Sequence, residues 1–217
     1  MPGTIVDDVE LIDAGRGGGN PPPAGGDDDG DSSGSQQPIP RRAYFTALQL
    51  GLAAIVMFFM ALASSYIVRK GLGVDWQSTP LPRVLWFNTA ILLASSVTIV
   101  AARKKLEGGE REAFHSWWWV TTGLGLLFLA GQIIAWRQLA AAGMLLATNP
   151  SSSFFYLLTA AHGAHLAGGI LALFYVIFRP WSRSRISQST AAELTSIYWH
   201  FMDGLWIFLL ALLTLGR

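Results

Sequence analysis

The sequence predicts an all-α integral membrane protein, a bundle of five transmembrane helices preceded by a disordered N-terminal tail. Two observations support this fold class. The 217 residues are 52% hydrophobic and only 13% charged, whereas soluble domains are about 25% charged. The apolar residues also gather into five long runs, and about 20 apolar residues in a helix suffice to cross the hydrocarbon core of a membrane.

Residues 1–40 form the predicted tail. Gly, Pro, Ser and Asp dominate this segment, and such a composition buries too little apolar surface to offset the entropy of an ordered chain. The start of the chain has neither the basic region nor the apolar region of a secretory signal. Four apolar residues near the start have two interpretations, a docking segment or part of a solvated tail: Ile5, Val6, Val9 and Leu11.

Residues 41–217 form the predicted transmembrane domain. Its five spans cover residues 43–68, 84–102, 116–136, 154–178 and 194–216. The first four contain no Asp, Glu, Lys or Arg, and the fifth contains one carboxylate, Asp203. A soluble helix would show a polar face at helical spacing, and a membrane β-barrel would show alternating segments of about ten residues. The spans show neither pattern.

Two patterns predict how the helices pack. Trp residues cluster near span ends, which is typical of the aromatic belts at membrane surfaces, although a stacking platform for bases or sugars is an alternative; these residues are Trp117, Trp118, Trp119, Trp136 and Trp181. Small residues in the fourth span have the spacing that lets membrane helices approach closely; they are Ala160, Ala164, Gly168 and Ala172. We therefore expect the fourth helix in the interior of the bundle.

The placement of basic residues predicts the orientation in the membrane. Of the 15 Lys and Arg residues, ten lie on the side of the tail and five on the other side. Loops rich in Lys and Arg remain in the cytoplasm. We therefore expect the N-terminus in the cytoplasm and the C-terminus outside.

Polar side chains inside the spans are the candidate functional residues, because ionisable groups in a membrane are costly and usually have a function. They are His162, His165, His200, Asp203, Gln49, Gln132 and Asn88. His200 and Asp203 lie three residues apart on one face of the last helix, where the imidazole can hydrogen-bond the carboxylate. Two interpretations of this pair remain open, a structural link that fixes helix packing and a proton-handling group.

The sequence argues against a redox centre in this chain. The absence of cysteine excludes thiolate-bound zinc and copper and iron–sulfur clusters. At a rise of 1.5 Å per residue, His165 and His200 are expected about 10 Å apart in depth, and His162 farther still. One metal cannot join all three, so we assign no catalytic, metal-binding or cofactor-binding residue. A net charge of +1 gives no sign of a nucleic-acid partner.

Three segments carry recognisable motifs. Residues 198–206 read Tyr-Trp-His-Phe-Met-Asp-Gly-Leu-Trp, residues 158–165 read Leu-Thr-Ala-Ala-His-Gly-Ala-His, and residues 88–98 read Asn-Thr-Ala-Ile-Leu-Leu-Ala-Ser-Ser-Val-Thr. In type and order, these segments resemble motifs of subunit III of the haem-copper oxidases, including cytochrome c oxidases. The resemblance is to the short, five-helix bacterial form and extends over nearly all of the chain after residue 41.

The resemblance implies a non-catalytic accessory subunit of a proton-pumping terminal oxidase of aerobic respiration, in the bacterial cytoplasmic (inner) membrane. Such a subunit holds no cofactor, packs against subunits I and II with their haem and copper, binds phospholipid, and supports assembly and active-site stability in turnover. The polar residues, with Trp199 among them, would then make interhelical or lipid contacts. Two alternatives remain, an accessory subunit of a nitric-oxide reductase or quinol oxidase, and a small membrane transporter.

The chain departs from the family pattern in three places. Ile55 and Val56 occupy the region where members often have a Glu, and Ala135 replaces a second Glu in the segment that begins at Gln132. The loss of both carboxylates argues against a proton-antenna role. Longer members have two further N-terminal helices that form one wall of a lipid cleft, and here the tail takes their place.

Overall fold

The computed structural model describes residues 40–72, 76, 82–145, 149–178 and 187–215, which form five α-helices and no strand. The helices are α1 (Arg41–Leu72), α2 (Val84–Glu107), α3 (Arg111–Ala141), α4 (Pro150–Phe178) and α5 (Gln188–Leu215). Each is long and apolar enough to cross a membrane, so the predicted fold class is confirmed. Residues 1–39 of the predicted tail and Trp181 lie outside the described residues, and the orientation of the termini remains a prediction.

The ends of α2 and α3 have the same hydrogen-bonded cap. After α2, Gly109 adopts φ +80°, and the backbone N–H of Glu110 donates to the carbonyl of Lys105 at 3.0 Å. After α3, Gly143 also has φ +80°, and the N–H of Met144 donates to the carbonyl of Leu139 at 3.1 Å. These are Schellman caps, in which glycine takes the left-handed position. The first cap turns the chain directly from α2 into an antiparallel α3.

The helices α2, α3, α4 and α5 form a ring, and α1 lies outside it. α2 contacts α3, α3 contacts α4, α4 contacts α5, and α5 contacts α2. α1 packs against α4 and α5, where it buries Phe59 and Tyr66 and where Arg41 forms an ion pair with Glu193. Much of the remaining surface of α1 is apolar and exposed, as expected for a helix that faces lipid or another subunit.

The Trp cluster at the start of α3 divides between the surface and the core. Trp117 and Trp119 are 41% and 47% exposed, as the belt prediction requires, but Trp118 is fully buried and its indole N–H donates to the carbonyl of Leu173 on α4 at 3.0 Å. The reason is helical geometry, because consecutive side chains point about 100° apart around the axis. Trp118 is therefore a core residue.

The small residues of α4 do not lie where we expected. Ala160, Ala164 and Gly168 are exposed, whereas the buried stripe of α4 contains larger side chains such as Phe155 and Leu166. The spacing of small residues permits a close helix contact without specifying one. α4 does belong to the central ring, but through a different face from the one predicted.

Candidate functional site

The first group of polar side chains joins α2 to α5. The indole N–H of Trp199 donates to Ser95 Oγ at 2.9 Å, and the indole N–H of Trp206 donates to Thr89 Oγ1 at 3.0 Å. Each hydroxyl in turn donates to a carbonyl of α2, at 2.6 Å from Ser95 and 2.8 Å from Thr89. Two residues of one motif are thus paired with two residues of another along an antiparallel contact, which we call the α2–α5 seam.

His200 also belongs to this seam, but its contact differs from the one expected. Its Nδ1 lies 2.6 Å from Ser96 Oγ. The expected hydrogen bond to Asp203 is not formed, because neither carboxylate oxygen of Asp203 has a hydrogen-bond partner among the described residues.

The rotation between the two side chains explains this difference. Residues three apart on an α-helix differ by about 60° around its axis. Asp203 points into the bundle and is 4% exposed, whereas His200 is only half-buried at the edge of the seam. A shared helix face is therefore too coarse a criterion to pair them.

Asn88 fixes the contact between α2 and α3. Its side-chain N–H donates to the carbonyl of Phe128, with 3.4 Å between the heavy atoms, and its amide lies directly against Gly131. A Cβ atom at position 131 would lie 2.0 Å from Asn88 Oδ1. Gly125, also on α3, leaves room for Trp199 in the same way. A Cβ atom added at position 125 would lie 2.6 Å from Trp199 Cη2. A glycine inside an otherwise continuous helix is the sequence signal for such a contact.

His162 and Gln132 are buried without a direct hydrogen bond. The His162 ring is fully buried between Phe128 and Trp206, with ring centroids 5.9 Å and 5.1 Å away. Gln132 is 3% exposed. Neither ring nitrogen of His162 and neither amide atom of Gln132 has a partner among the described residues.

His165 faces α1 instead of the core. Its Nδ1 lies 2.8 Å from the carbonyl of Ala161, which can only accept, so Nδ1 carries the proton. The ring makes aromatic contacts with Phe58 and Phe59 of α1, with centroids 6.0 Å and 5.5 Å away. The carbonyl of His165 accepts a hydrogen bond from the Tyr198 hydroxyl at 2.8 Å. The residue thus connects three helices.

The contact between α3 and α4 uses Trp136, predicted as a residue of the aromatic belt, and two residues that were not among the candidate polar residues, Tyr156 and Thr159. The indole N–H of Trp136 donates to Thr159 Oγ1 at 3.0 Å. The Tyr156 hydroxyl lies 3.3 Å from the carbonyl of Trp136 and 3.1 Å from that of Met144. Thr159 belongs to a motif already noted, so that motif was the signal that could have identified this contact.

The described polar residues act in helix contacts and do not converge on one point. His162 faces the core, His165 faces α1 and His200 lies at the edge of the α2–α5 seam. Within the described ranges, no group of three or more His, Asp or Glu side chains is placed to hold a metal ion. Gln49 is exposed on α1. The arrangement is suited to fixing the register of antiparallel helices.

Comparison with known proteins gives a consistent result. The family model for cytochrome c oxidase subunit III matches residues 44–215. A probable cytochrome c oxidase subunit 3 of Mycobacterium bovis is 33% identical over 161 residues, which are 72% of this chain and 79% of that protein. A probable cytochrome c oxidase subunit 3 of Nocardia farcinica is 33% identical over 165 residues, 74% of this chain and 81% of that protein. The cytochrome c oxidase subunit 3 of Thermostichus vulcanus is 31% identical over 162 residues, which are 72% of this chain and 79% of that protein.

Proposed function

The chain belongs to the cytochrome c oxidase subunit III family, and we propose that its task in the terminal oxidase is structural. It supports assembly of the complex and the stability of the active site during turnover. Its partners are subunits I and II, which hold the haem and copper of oxygen reduction and proton pumping. This chain itself supplies no cofactor ligand.

One observation carries this proposal: the polar residues of the motifs bind each other. Thr89 accepts from Trp206, Ser95 accepts from Trp199, and Ser96 is hydrogen-bonded to His200. A metal site built from several residues would need their ligand atoms to converge on one point. These side chains instead hold α2 against α5, and a rigid bundle is what an accessory subunit offers to a catalytic neighbour.

We place the chain in the bacterial cytoplasmic membrane with the α2–α3 turn on the cytoplasmic side. The basic residues at this turn support the assignment, because loops rich in Lys and Arg remain in the cytoplasm. They are Arg103, Lys104, Lys105 and Arg111.

Phospholipid binding fits the surface between α1 and the ring. A groove of about 350 Å³ is lined by residues of α1, α4 and α5, namely Leu48, Gly168, Ala172, Leu194, Thr195 and Tyr198. Arg41 and Arg42 lie at the start of α1 beside a second depression, which also includes Phe45 and Glu193. A phospholipid whose acyl chain lies in the apolar groove would place its phosphate near these cations. Exposed small residues of α4 leave the room that an acyl chain needs.

The oxidase assignment is favoured over the alternatives. The three relatives described above carry cytochrome c oxidase in their names, which favours cytochrome c over quinol as the electron donor and an oxygen reductase over a nitric-oxide reductase. A transporter would be expected to have a broken helix at its binding site, whereas each of the five helices runs without interruption between its described ends.

Affinity purification in mild detergent tests the proposal. The tagged chain is expected to bring with it a haem-bearing polypeptide identified by mass spectrometry. The haem absorbance should disappear when the chain is expressed and purified alone. Haem that remains bound to the isolated chain would contradict a purely structural task.

A further inference from the structure

Two polar side chains in the interior of the ring have no hydrogen-bond partner among the described residues. His162 on α4 is 0% exposed, and Gln132 on α3 is 3% exposed. Both ring nitrogens of His162 and both amide atoms of Gln132 are unpaired there. Buried polar atoms of side chains are hydrogen-bonded in the large majority of cases, because an unpaired one costs free energy. Four such atoms lie here on two helices that contact each other.

The neighbouring contacts place the two side chains in one layer of the bundle. The ring centroids of His162 and Phe128 are 5.9 Å apart, and Phe128 lies one turn before Gln132 on α3. One turn after Gln132, the indole N–H of Trp136 donates to Thr159 Oγ1 at 3.0 Å. Thr159 lies one turn before His162 on α4. Because residues four apart share a helix face, Gln132 lies on the face of α3 that meets α4, at the level of His162.

Two polar side chains that border this layer are engaged elsewhere. The hydroxyl of Thr159 accepts from Trp136 and donates to a backbone carbonyl of its own helix at 2.7 Å. The ring centroid of Trp206 lies 5.1 Å from that of His162, but its indole N–H donates to Thr89 Oγ1. These neighbours therefore do not supply the partner that the four unpaired atoms need.

The chemistry of the four atoms selects the ligand. A neutral imidazole has one N–H donor and one acceptor nitrogen, and an amide has N–H donors and an acceptor oxygen. A cation can satisfy only the acceptors and an anion only the donors, whereas water can satisfy both. The burial of both side chains admits only a small molecule. Buried waters typically make about two to four hydrogen bonds to polar groups that would otherwise be unpaired.

We propose that the ring contains an interior water site between α3 and α4, where a bound water hydrogen-bonds both the His162 imidazole and the Gln132 amide. This water links the two helices in a layer where their side chains make no direct hydrogen bond to each other among the described residues. It gives two polar residues of the membrane interior a role in holding the bundle together. The site does not depend on the proposed function, because it lies wholly within this chain.

Radiolytic labelling of the full chain, purified with its associated subunits in mild detergent, tests the proposal. X-rays convert water to hydroxyl radicals where it lies, so a bound water oxidises the side chains around it, and mass spectrometry locates the oxidised residues. Phe128 and Phe114 form a matched pair, because both lie on α3 and are 0% exposed. Phe114 contacts Trp118, whose indole N–H is already hydrogen-bonded. We expect Phe128 to be oxidised at least about fivefold faster than Phe114, since only Phe128 lies beside a bound water. Equal rates would overturn the proposal.

Paired substitutions provide a second test. Gln132→Met and His162→Phe each replace a polar group by an apolar side chain of similar size. Either change alone leaves the other polar group buried and the water with fewer partners, whereas the double variant removes the site. We therefore expect the double variant to lose less in melting temperature than the sum of the two single losses, and the oxidation of Phe128 in it to fall to the rate of Phe114. Losses that simply add would contradict a shared water.

The two measurements together separate a bound water from a direct hydrogen bond between Gln132 and His162. A direct bond would also give melting losses that do not add, but it would not speed the oxidation of Phe128. Melting losses that do not add, combined with equal oxidation of Phe128 and Phe114, would therefore overturn the water site.

Discussion

At the scale of single residues, the bundle depends on a few positions where only one type of residue fits. Gly131 is the clearest, because Asn88 occupies the space that any side chain at 131 would need. Gly123 lies on the same helix, and an added Cβ there would meet nothing within 4 Å. The two glycines therefore form a matched pair for measuring the packing between α2 and α3.

We expect Gly131→Ala to destabilise the protein and Gly123→Ala to leave it unchanged or stabilise it. Overpacking a well-filled core costs about 1–3 kcal/mol, whereas alanine is favoured over glycine inside a helix by roughly 1 kcal/mol. Thermal unfolding of the two purified variants in the same detergent measures the difference. Equal melting temperatures would show that the α2–α3 contact is looser than described.

The hydroxyl of Thr89 permits a second prediction at this scale. Thr89→Val keeps the shape of the side chain but leaves the indole N–H of Trp206 without its acceptor. A lost hydrogen bond of this kind costs about 1 kcal/mol, and membrane examples average about 0.6 kcal/mol. Thr214→Val is the control, because the Thr214 hydroxyl bonds only carbonyls of its own helix. Unfolding in increasing SDS should show a lower midpoint for the Thr89 variant alone.

Substitution of Asp203, in contrast, is expected to leave the stability of the protein unchanged or to raise it. Its carboxyl group is buried without a hydrogen-bond partner in the described structure, so Asp203→Asn removes an ionisable group without breaking a hydrogen bond that the structure shows. An isolated charge in an apolar interior is strongly unfavourable. We expect the melting temperature of the Asn variant to equal or exceed that of the unmodified chain. A clear decrease would contradict the assignment of Asp203 as a buried carboxyl group without a stabilising hydrogen bond.

At the scale of helices, their number and approximate positions could be read from the sequence, but their facing directions could not. Charge-free runs of about 20 residues are sufficient to identify membrane helices. A helix surrounded by lipid on one side and by other helices on the other is apolar all round, so its pattern does not reveal which face is inside. The outward position of Ala160 and Ala164, the burial of Trp118 and the separation of His200 from Asp203 all follow from this ambiguity.

The caps allow a prediction at the helix scale. Gly109 has φ +80°, in the left-handed region, whereas its neighbour Gly108 has φ −75°. A left-handed conformation costs a residue with a side chain roughly 1–2 kcal/mol. Gly109→Ala should therefore lower the thermal stability measurably more than Gly108→Ala, whose Cβ would make only ordinary contacts of 3.5 Å or longer. An equal effect of both substitutions would contradict the assigned cap.

At the scale of the whole molecule, four helices close a ring through antiparallel contacts and α1 lies against its outer side. The motifs made the family readable from the sequence, and the structure shows why they contain those residues. Thr89, Ser95 and Ser96 of one segment meet Trp206, Trp199 and His200 of another. Such pairs are separated by more than 100 residues and depend on helix rotation, so the composition of either segment alone could not predict them.

The central claim is that this chain stabilises a terminal oxidase from outside its redox centre. Oxygen consumption by the purified complex, recorded continuously with and without this subunit, tests the claim most directly. We expect an unchanged haem spectrum and an initial rate within about twofold of the complete complex, because no redox ligand is lost, followed by faster loss of activity with each turnover. An initial rate near zero or an altered haem spectrum would contradict the claim, as would identical decay with and without the subunit.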